Sequence, residues 1–403
     1  MSQTAPGSKS DSIWRAIASR PLDWLLVMLP VAIVARYFEM GDLWIFIASA
    51  LAIIPLAGLM GQATENLAVT LGAGIGGLLN PTFGNAAELI IALMALRHGP
   101  EMYPLVKASI TGSIIGNVLL VLGLSVTLGG LRFKYQHFNR TAASMGATLL
   151  ALATVGLIMP TLYYYVFAAN STLRPQQLST VEFLSEEIAA ILAVVYLLSL
   201  VFMFVTHRNI FDSAEHPATE ASIAAGEELP EAHWSRKTAI IVLLVSTGCV
   251  AVVAEMLVGS VEAAAHAFGM SRVFVGVIVV AVIGNAAEHS TAVLMAMKNK
   301  MDLAVNVAIG SGIQIALFVA PVLVFASMLM GHEHPLDLHF TMMEIVAITI
   351  SIAILAIVAQ DGESHWLEGV MLLAVYAILA LAFYHLGEME LPAIEGVEGE
   401  VNH

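Results

Sequence analysis

Gly84-Asn85-Ala86-Ala87-Glu88 recurs letter for letter as Gly284-Asn285-Ala286-Ala287-Glu288, and each copy sits inside a long apolar stretch. A carboxylate at the centre of a membrane helix costs about 2.5–3.5 kcal/mol on insertion scales. One such residue is tolerable as an accident of packing. Two in matching contexts, half a chain apart, read as one duplicated site whose negative charge something positive must neutralise.

The surroundings of the motif fix the class. The 403-residue chain is 59% hydrophobic and 12% charged, with a mean hydropathy of +0.85. Soluble domains carry about 25% charged residues, so this chain is built to dissolve in lipid. Strand-like alternation is absent, so helices must satisfy the backbone in the bilayer. The expected fold is all-α and polytopic. At ~20 apolar residues per span, about eleven spans follow, over 22–38, 43–70, 75–97, 102–129, 141–168, 180–206, 237–267, 272–298, 302–330, 340–359 and 366–386. No small-residue cleavage site follows the first run, so 22–38 reads as a retained helix and not a signal peptide. Cys249, the only cysteine, reads as a small packing residue.

Basic residues set the expected orientation. With the N-terminus in the cytoplasm, the inner segments hold Lys9, Arg15, Arg20, Arg132, Lys134, Arg140, Arg208, Arg236, Lys237, Lys298 and Lys300, against Arg36, Arg97, Lys107, Arg174 and Arg272 outside. The expected divisions are a cytoplasmic N-terminus (1–21), an extra helix (22–38), a first five-helix repeat (43–206), an acidic linker (207–236), a second five-helix repeat (237–386) and an acidic tail (387–403). The linker carries Asp212, Glu215, Glu220, Glu227, Glu228 and Glu231. It reads as a solvated cytoplasmic connection, with a low-affinity cation-attracting surface as the sharper alternative. Five helices per repeat is an odd number, so equivalent helices in the two repeats run oppositely. That is the pattern of an inverted repeat with its site near the midplane.

Within each motif copy, Asn and Glu are spaced i, i+3 and project from one helical face. Gly84 and Gly284 allow close backbone approach or local unwinding. Pro81 removes a backbone donor just before the first copy, and the alanines permit tight helix contact. Carboxylates and amide oxygens are hard ligands, so a hard cation is preferred. Two negative charges match one divalent ion, and Ca2+ accepts six to eight oxygens in flexible geometry. Burial and like-charge repulsion oppose joint ionisation of the empty pair, which makes protons natural competitors for the cation. A structural clasp between the halves is the bland alternative.

Secondary candidates flank the motif. Ser113 and Asn117 in the fourth span, and Ser311 and Gln314 in the ninth, offer hydroxyl and amide oxygens, or polar glue between helices. Glu65 and Glu255 form a second symmetric pair, as gating or cation-access carboxylates or as structural acids. His289 breaks the symmetry, since Leu89 holds the matching place, and it reads equally as a proton relay or a hydrogen-bond donor. Gly72, Gly74 and Gly77 satisfy GxGxxG without a preceding strand and read as helix packing. His332, Glu333, His334, Asp337 and His339 define no coordination set and read as a solvated outer loop. Neither HExxH nor a Walker A loop occurs, which argues against a zinc protease or an ATP-driven pump. No basic patch points to nucleic acid.

These residues resemble the Ca2+/H+ exchanger group of the calcium/cation antiporter superfamily. The resemblance rests on "NPTFGNAAELIIALMALRHG", "ASITGSIIGNVLLVLG", "VIGNAAEHSTAVLMAMKNKMDLAVNVAIGSGIQIALFVAP" and "DGESHWLEGVMLLAVYAILA", together with Glu65 and Glu255. It implies a core of two inverted five-helix halves preceded by one extra helix. It implies that Glu88 and Glu288 bind Ca2+ and protons in turn, with Asn85, Asn285, Ser113, Asn117, Ser311 and Gln314 lining the site. It implies that the helices carrying Glu65 and Glu255 shift between inward-open and outward-open states. Homo-oligomers occur in that group, and no feature of this chain specifies one. The Na+/Ca2+ branch has hydroxyl-rich repeats where Asn and Ala stand here, which favours protons as the counter-ion. The expected function is therefore Ca2+/H+ antiport in a cell (inner) membrane, without enzymatic activity or resident cofactor, Ca2+ being cargo. Na+ or K+/H+ antiport is the alternative within the superfamily, and a passive cation channel the alternative outside it.

Overall fold

Without water in the bilayer core, an apolar chain must pair its backbone groups within each crossing segment, and helices do this one residue at a time. The computed structural model describes residues 21–71, 83–168, 174–207 and 234–386. A 3-10 turn over Pro21–Val27 leads into α1 (Met28–Tyr37), where one continuous helix is expected. Then come α2 (Asp42–Leu71), α3 (Ala86–Arg97), α4 (Pro100–Arg132), α5 (Arg140–Val166), α6 (Ser179–Thr206) and α7 (Arg236–Phe268). The remainder is α8 (Arg272–Gly284), α9 (Ala286–Met297), α10 (Met301–Leu329), α11 (Met342–Val358) and α12 (Trp366–His385). Among the described residues, seven of these are long and apolar enough to cross a membrane, and α8 with α9 makes an eighth crossing bent by 60°. Gly72, Gly74, Gly77, Pro81 and the acidic residues of the linker lie outside the described residues.

The chain is a mostly helical, polytopic integral membrane protein. Leu197, Leu198, Ile241 and Leu244 are each more than 60% exposed, as lipid-facing side chains must be. Exposed aromatics gather at helix ends: Tyr37, Phe38 and Trp44 at one end, Trp24, Tyr135 and Trp366 at the other. Amphipathic rings favour the two interfaces of a bilayer. Sequence signals mark the helix ends as well. Ser235 caps α7 by accepting from Thr238 N, and Gly269 ends it at φ +64°. Ser271 caps α8 through Phe274 N.

Loop contacts sort into two sets, which define the two ends of the molecule. At one end Tyr103 meets His332, and Lys107 pairs with Asp337. At the other, Asn66 accepts from Trp234 N, and Gln136 donates to Asn299. Two corrections to the sequence reading come from these ends. Segment 331–341 is solvated only in part: Glu333 and His334 are exposed, but the stretch from Leu336 to Phe340 is anchored in the protein. Leu336, Leu338 and Phe340 are buried at 2%, 0% and 1% exposure, and the segment is strapped down by Ser327 Oγ on Leu336 N, Ser185 Oγ on Leu338 N and Thr161 Oγ1 on Phe340 N. The fold is also not purely helical. β1 (Gln136–His137) and β2 (Glu363–Ser364) form a short antiparallel ribbon at the opposite end, too brief to leave a periodicity in the sequence.

A candidate cation site at two broken helices

Both motif copies interrupt their helix at the asparagine. Asn85 has φ −95°, ψ 23° and Asn285 φ −87°, ψ 1°, the sparsely populated bridge region in which many site residues sit. Glycine is a poor helix former and Asn favours helix starts, so each Gly-Asn ends one helical piece and begins another at the alanine pair. Glu88 and Glu288 therefore fall in the first turn of α3 and α9, where the positive end of the helix dipole favours a carboxylate.

The two copies face each other reciprocally. A β-carbon placed on Gly84 would lie 3.0 Å from Glu288 Oε1, and one on Gly284 would lie 3.2 Å from Glu88 Cγ. Each glycine thus leaves the room that the opposite carboxylate occupies. The reason for glycine is the partner motif, as much as backbone freedom.

A chain of side-chain hydrogen bonds joins the copies. Asn85 Nδ2 donates to Gln314 Oε1 (2.5 Å) and Ser311 Oγ to Asn85 Oδ1 (2.9 Å). Asn117 Nδ2 donates to Ser311 Oγ (2.9 Å) and to Asn285 Oδ1 (3.1 Å). Asn285 Nδ2 completes the chain to Ser113 Oγ (3.0 Å). All four secondary candidates from the fourth and ninth spans are brought to the motif. Both motif amide oxygens already accept one hydrogen bond, which leaves each a single lone pair. The acceptors left without a partner from another described residue are Glu88 Oε1 and Oε2, Glu288 Oε2 and Asn117 Oδ1, all buried. Unpaired buried acceptors are costly, and four of them converging on one locus suit a cation or protons.

Local geometry explains how crossing helices reach the site. A β-carbon on Gly112 would meet Val277 O at 2.0 Å, and one on Gly276 would meet Ala108 Cβ at 2.6 Å, so α4 and α8 touch backbone to backbone. This contact holds Ser113 beside Asn285. Beyond Ser113 and Ser311 the helices widen into π turns, over Gly116–Val121 and Ile315–Val319, a distortion frequent at functional sites.

The other candidates fare differently. His289 lies next to Glu288, with Nε2 buried and meeting no described partner. Glu65 and Glu255 are not brought together. Asn66, beside Glu65, bonds Trp234 just before the start of α7, whereas Glu255 stands 19 residues into that helix, about 28 Å further on at 1.5 Å per residue. Glu255 instead meets His98 Nε2 at 3.2 Å and Arg97 Nη1 at 4.0 Å. Arg97 and His98 are functional candidates that the sequence reading missed. Their signal was a basic pair at the C-terminal end of the helix that carries Glu88.

Residues 41–205 and 238–385 match the family described as sodium/calcium exchanger protein. A protein named Ca(2+)/H(+) antiporter from Synechocystis sp. is 46% identical, covering 89% of this chain and 96% of its own length. Ca(2+)/H(+) antiporter ChaA of Bacillus subtilis is 42% identical over 89% of this chain and 97% of its own. The solved structure of native YfkE superposes with a TM-score of 0.74 at 37% identity, covering 90% of this chain and 99% of that one. Similarity of this depth, over nearly the whole chain and both motif copies, makes the chain a member of the sodium/calcium exchanger protein family.

Proposed function

We propose that this chain is a secondary active antiporter that exchanges Ca2+ for H+ across a cell (inner) membrane by alternating access. The observation that carries the reading is the reciprocal seating of Glu88 and Glu288, each carboxylate against the opposite motif's glycine with buried oxygens left unpartnered. Ca2+ takes oxygen ligands flexibly at about 2.3–2.6 Å, and here the two carboxylates would supply its charge balance. Asn85 and Asn285 would each add a remaining lone pair, and Asn117 Oδ1 another. When Ca2+ leaves, protons would neutralise the same carboxylates, so one site would serve both ions in turn. Names of relatives at 42–46% identity favour Ca2+ and H+ over other ion pairs.

In this reading about eleven spans are arranged as one extra helix and two inverted five-helix repeats, with the N-terminus cytoplasmic. The end bearing His98 and His332 would then face outward. Glu65 and Glu255 would act at opposite ends of the path, not as a contacting pair. Glu255 would release His98 and Arg97 as the outer side opens. His289 would pass protons toward Glu288.

Flux measurements in proteoliposomes with an imposed pH gradient test the proposal. Ca2+ uptake should follow the gradient, exceed Na+ and K+ movement, and be lost in Glu88→Gln and Glu288→Gln, which keep side-chain size but not charge. Ca2+ uptake that ignored the gradient, or survived both substitutions, would overturn it.

A further inference from the structure

A crevice of about 580 Å3 opens between α1, α3 and α7, at the end of the molecule that carries His98. Its lining is graded by depth. Ile33, Met94 and Val252 stand three residues before Arg36, Arg97 and Glu255 on three helices that run toward the same end. A rise of 1.5 Å per residue sets the charged groups about 4.5 Å nearer the rim than the apolar ones. Tyr37 also lines the crevice and is 80% exposed, as expected of a ring at the headgroup level of a bilayer.

The rim is not charge-balanced. The lining holds two guanidinium groups, of Arg36 and Arg97, and one carboxylate, of Glu255, which lies closer to His98 (3.2 Å) than to Arg97 (4.0 Å). Arg36 makes no ion pair among the described residues. The crevice lies in the 300–1,000 Å3 range typical of small-ligand sites. It is too small to seat a partner helix, whose diameter with side chains is about 10–12 Å. A positive rim above an apolar floor, opening at a bilayer interface, matches one class of molecule. We propose that this crevice binds a single anionic phospholipid, with its phosphate between Arg36 and Arg97 and an acyl chain against Ile33, Met94 and Val252. The lipid would join the extra helix α1 to α3 and α7, the helices that carry Glu88 and Glu255.

Native mass spectrometry of the full-length protein in detergent tests this, with equal amounts of phosphatidylglycerol and phosphatidylcholine bearing the same chains. The expected result is one phosphatidylglycerol retained in preference. Arg36→Ala should lower its retention about fivefold, the equivalent of ~1 kcal/mol per basic residue near a lipid surface, while Arg36→Lys should keep most of it. Ile33→Trp leaves every charge in place and fills the floor, and should abolish retention with an unchanged melting temperature. Equal retention of the two lipids would overturn the proposal, as would phosphatidylglycerol binding unaffected by both Arg36→Ala and Ile33→Trp. A dimer that Ile33→Trp disrupts would instead make the crevice a contact between copies and overturn it too. None of these readouts involves transport, so their failure would leave the exchanger reading untouched.

Discussion

Gly84 leaves room for the carboxylate of Glu288, 204 positions away in the chain, and Gly284 leaves room for Glu88 in the mirrored arrangement. At Gly84 the approach is tight but the neighbour is the end of a side chain, so an added methyl group should displace the carboxylate without unfolding the helix. Gly84→Ala is expected to raise the KM for Ca2+ about tenfold, equivalent to ~1.4 kcal/mol. Shortening the opposite acid should relieve the clash. In a double-mutant cycle, Glu288→Asp is expected to recover part of the Gly84→Ala defect, and Glu88→Asp to recover none. Equal rescue by both would show that the glycines act on their own backbone only.

At the scale of elements, the strap 331–341 holds the titrating group whose response can be worked out. His339 packs against Tyr164 with ring centroids 4.2 Å apart and the planes tilted by 33°. Burial lowers its pKa below the usual 6.5; Lys107 adds to this effect and Asp337 opposes it. A histidine that resists protonation when folded takes up protons more readily when unfolded, so stability present above pH 6.5 is lost as pH falls toward the depressed folded value. Thermal melts in detergent should therefore show the midpoint dropping on the acid side. His339→Phe keeps the ring and removes the proton, and should flatten that drop; an identical acid profile would dismiss the assignment. The strap also marks the limit of what the sequence discloses. Leu336, Leu338 and Phe340 alternate with polar neighbours over too few residues to announce burial, and their partners Ser327, Ser185 and Thr161 come from three different helices. The pairing of Lys107 with Asp337 has a sequence signal, since a lysine within an apolar span asks for a carboxylate. The motif, its membrane setting and the four flanking polar residues were all readable, because a charge in lipid leaves few alternatives. The separation of Glu65 from Glu255 was implicit as well, because matching positions in oppositely running repeats, as expected from the sequence, fall at opposite ends.

For the whole molecule, the two sets of loop contacts predict which surfaces share a side of the membrane. Cysteines introduced singly into a Cys249→Ser background make this measurable. With the N-terminus cytoplasmic, Glu333→Cys in intact cells should react with an impermeant maleimide, and Asn299→Cys should react only after permeabilisation. The reverse pattern would invert the proposed orientation while leaving the fold intact. The crossing of Gly84 with Glu288 and of Gly284 with Glu88 has a further consequence, in the language of inheritance. Duplication ordinarily leaves a spare copy that is free to drift. Here each copy holds the space that the other copy's acid fills, so neither can vary without answering to its counterpart. A chain severed between residues 206 and 236 should regain activity only when both pieces are made together, and a lesion in one motif has no intact twin to mask it.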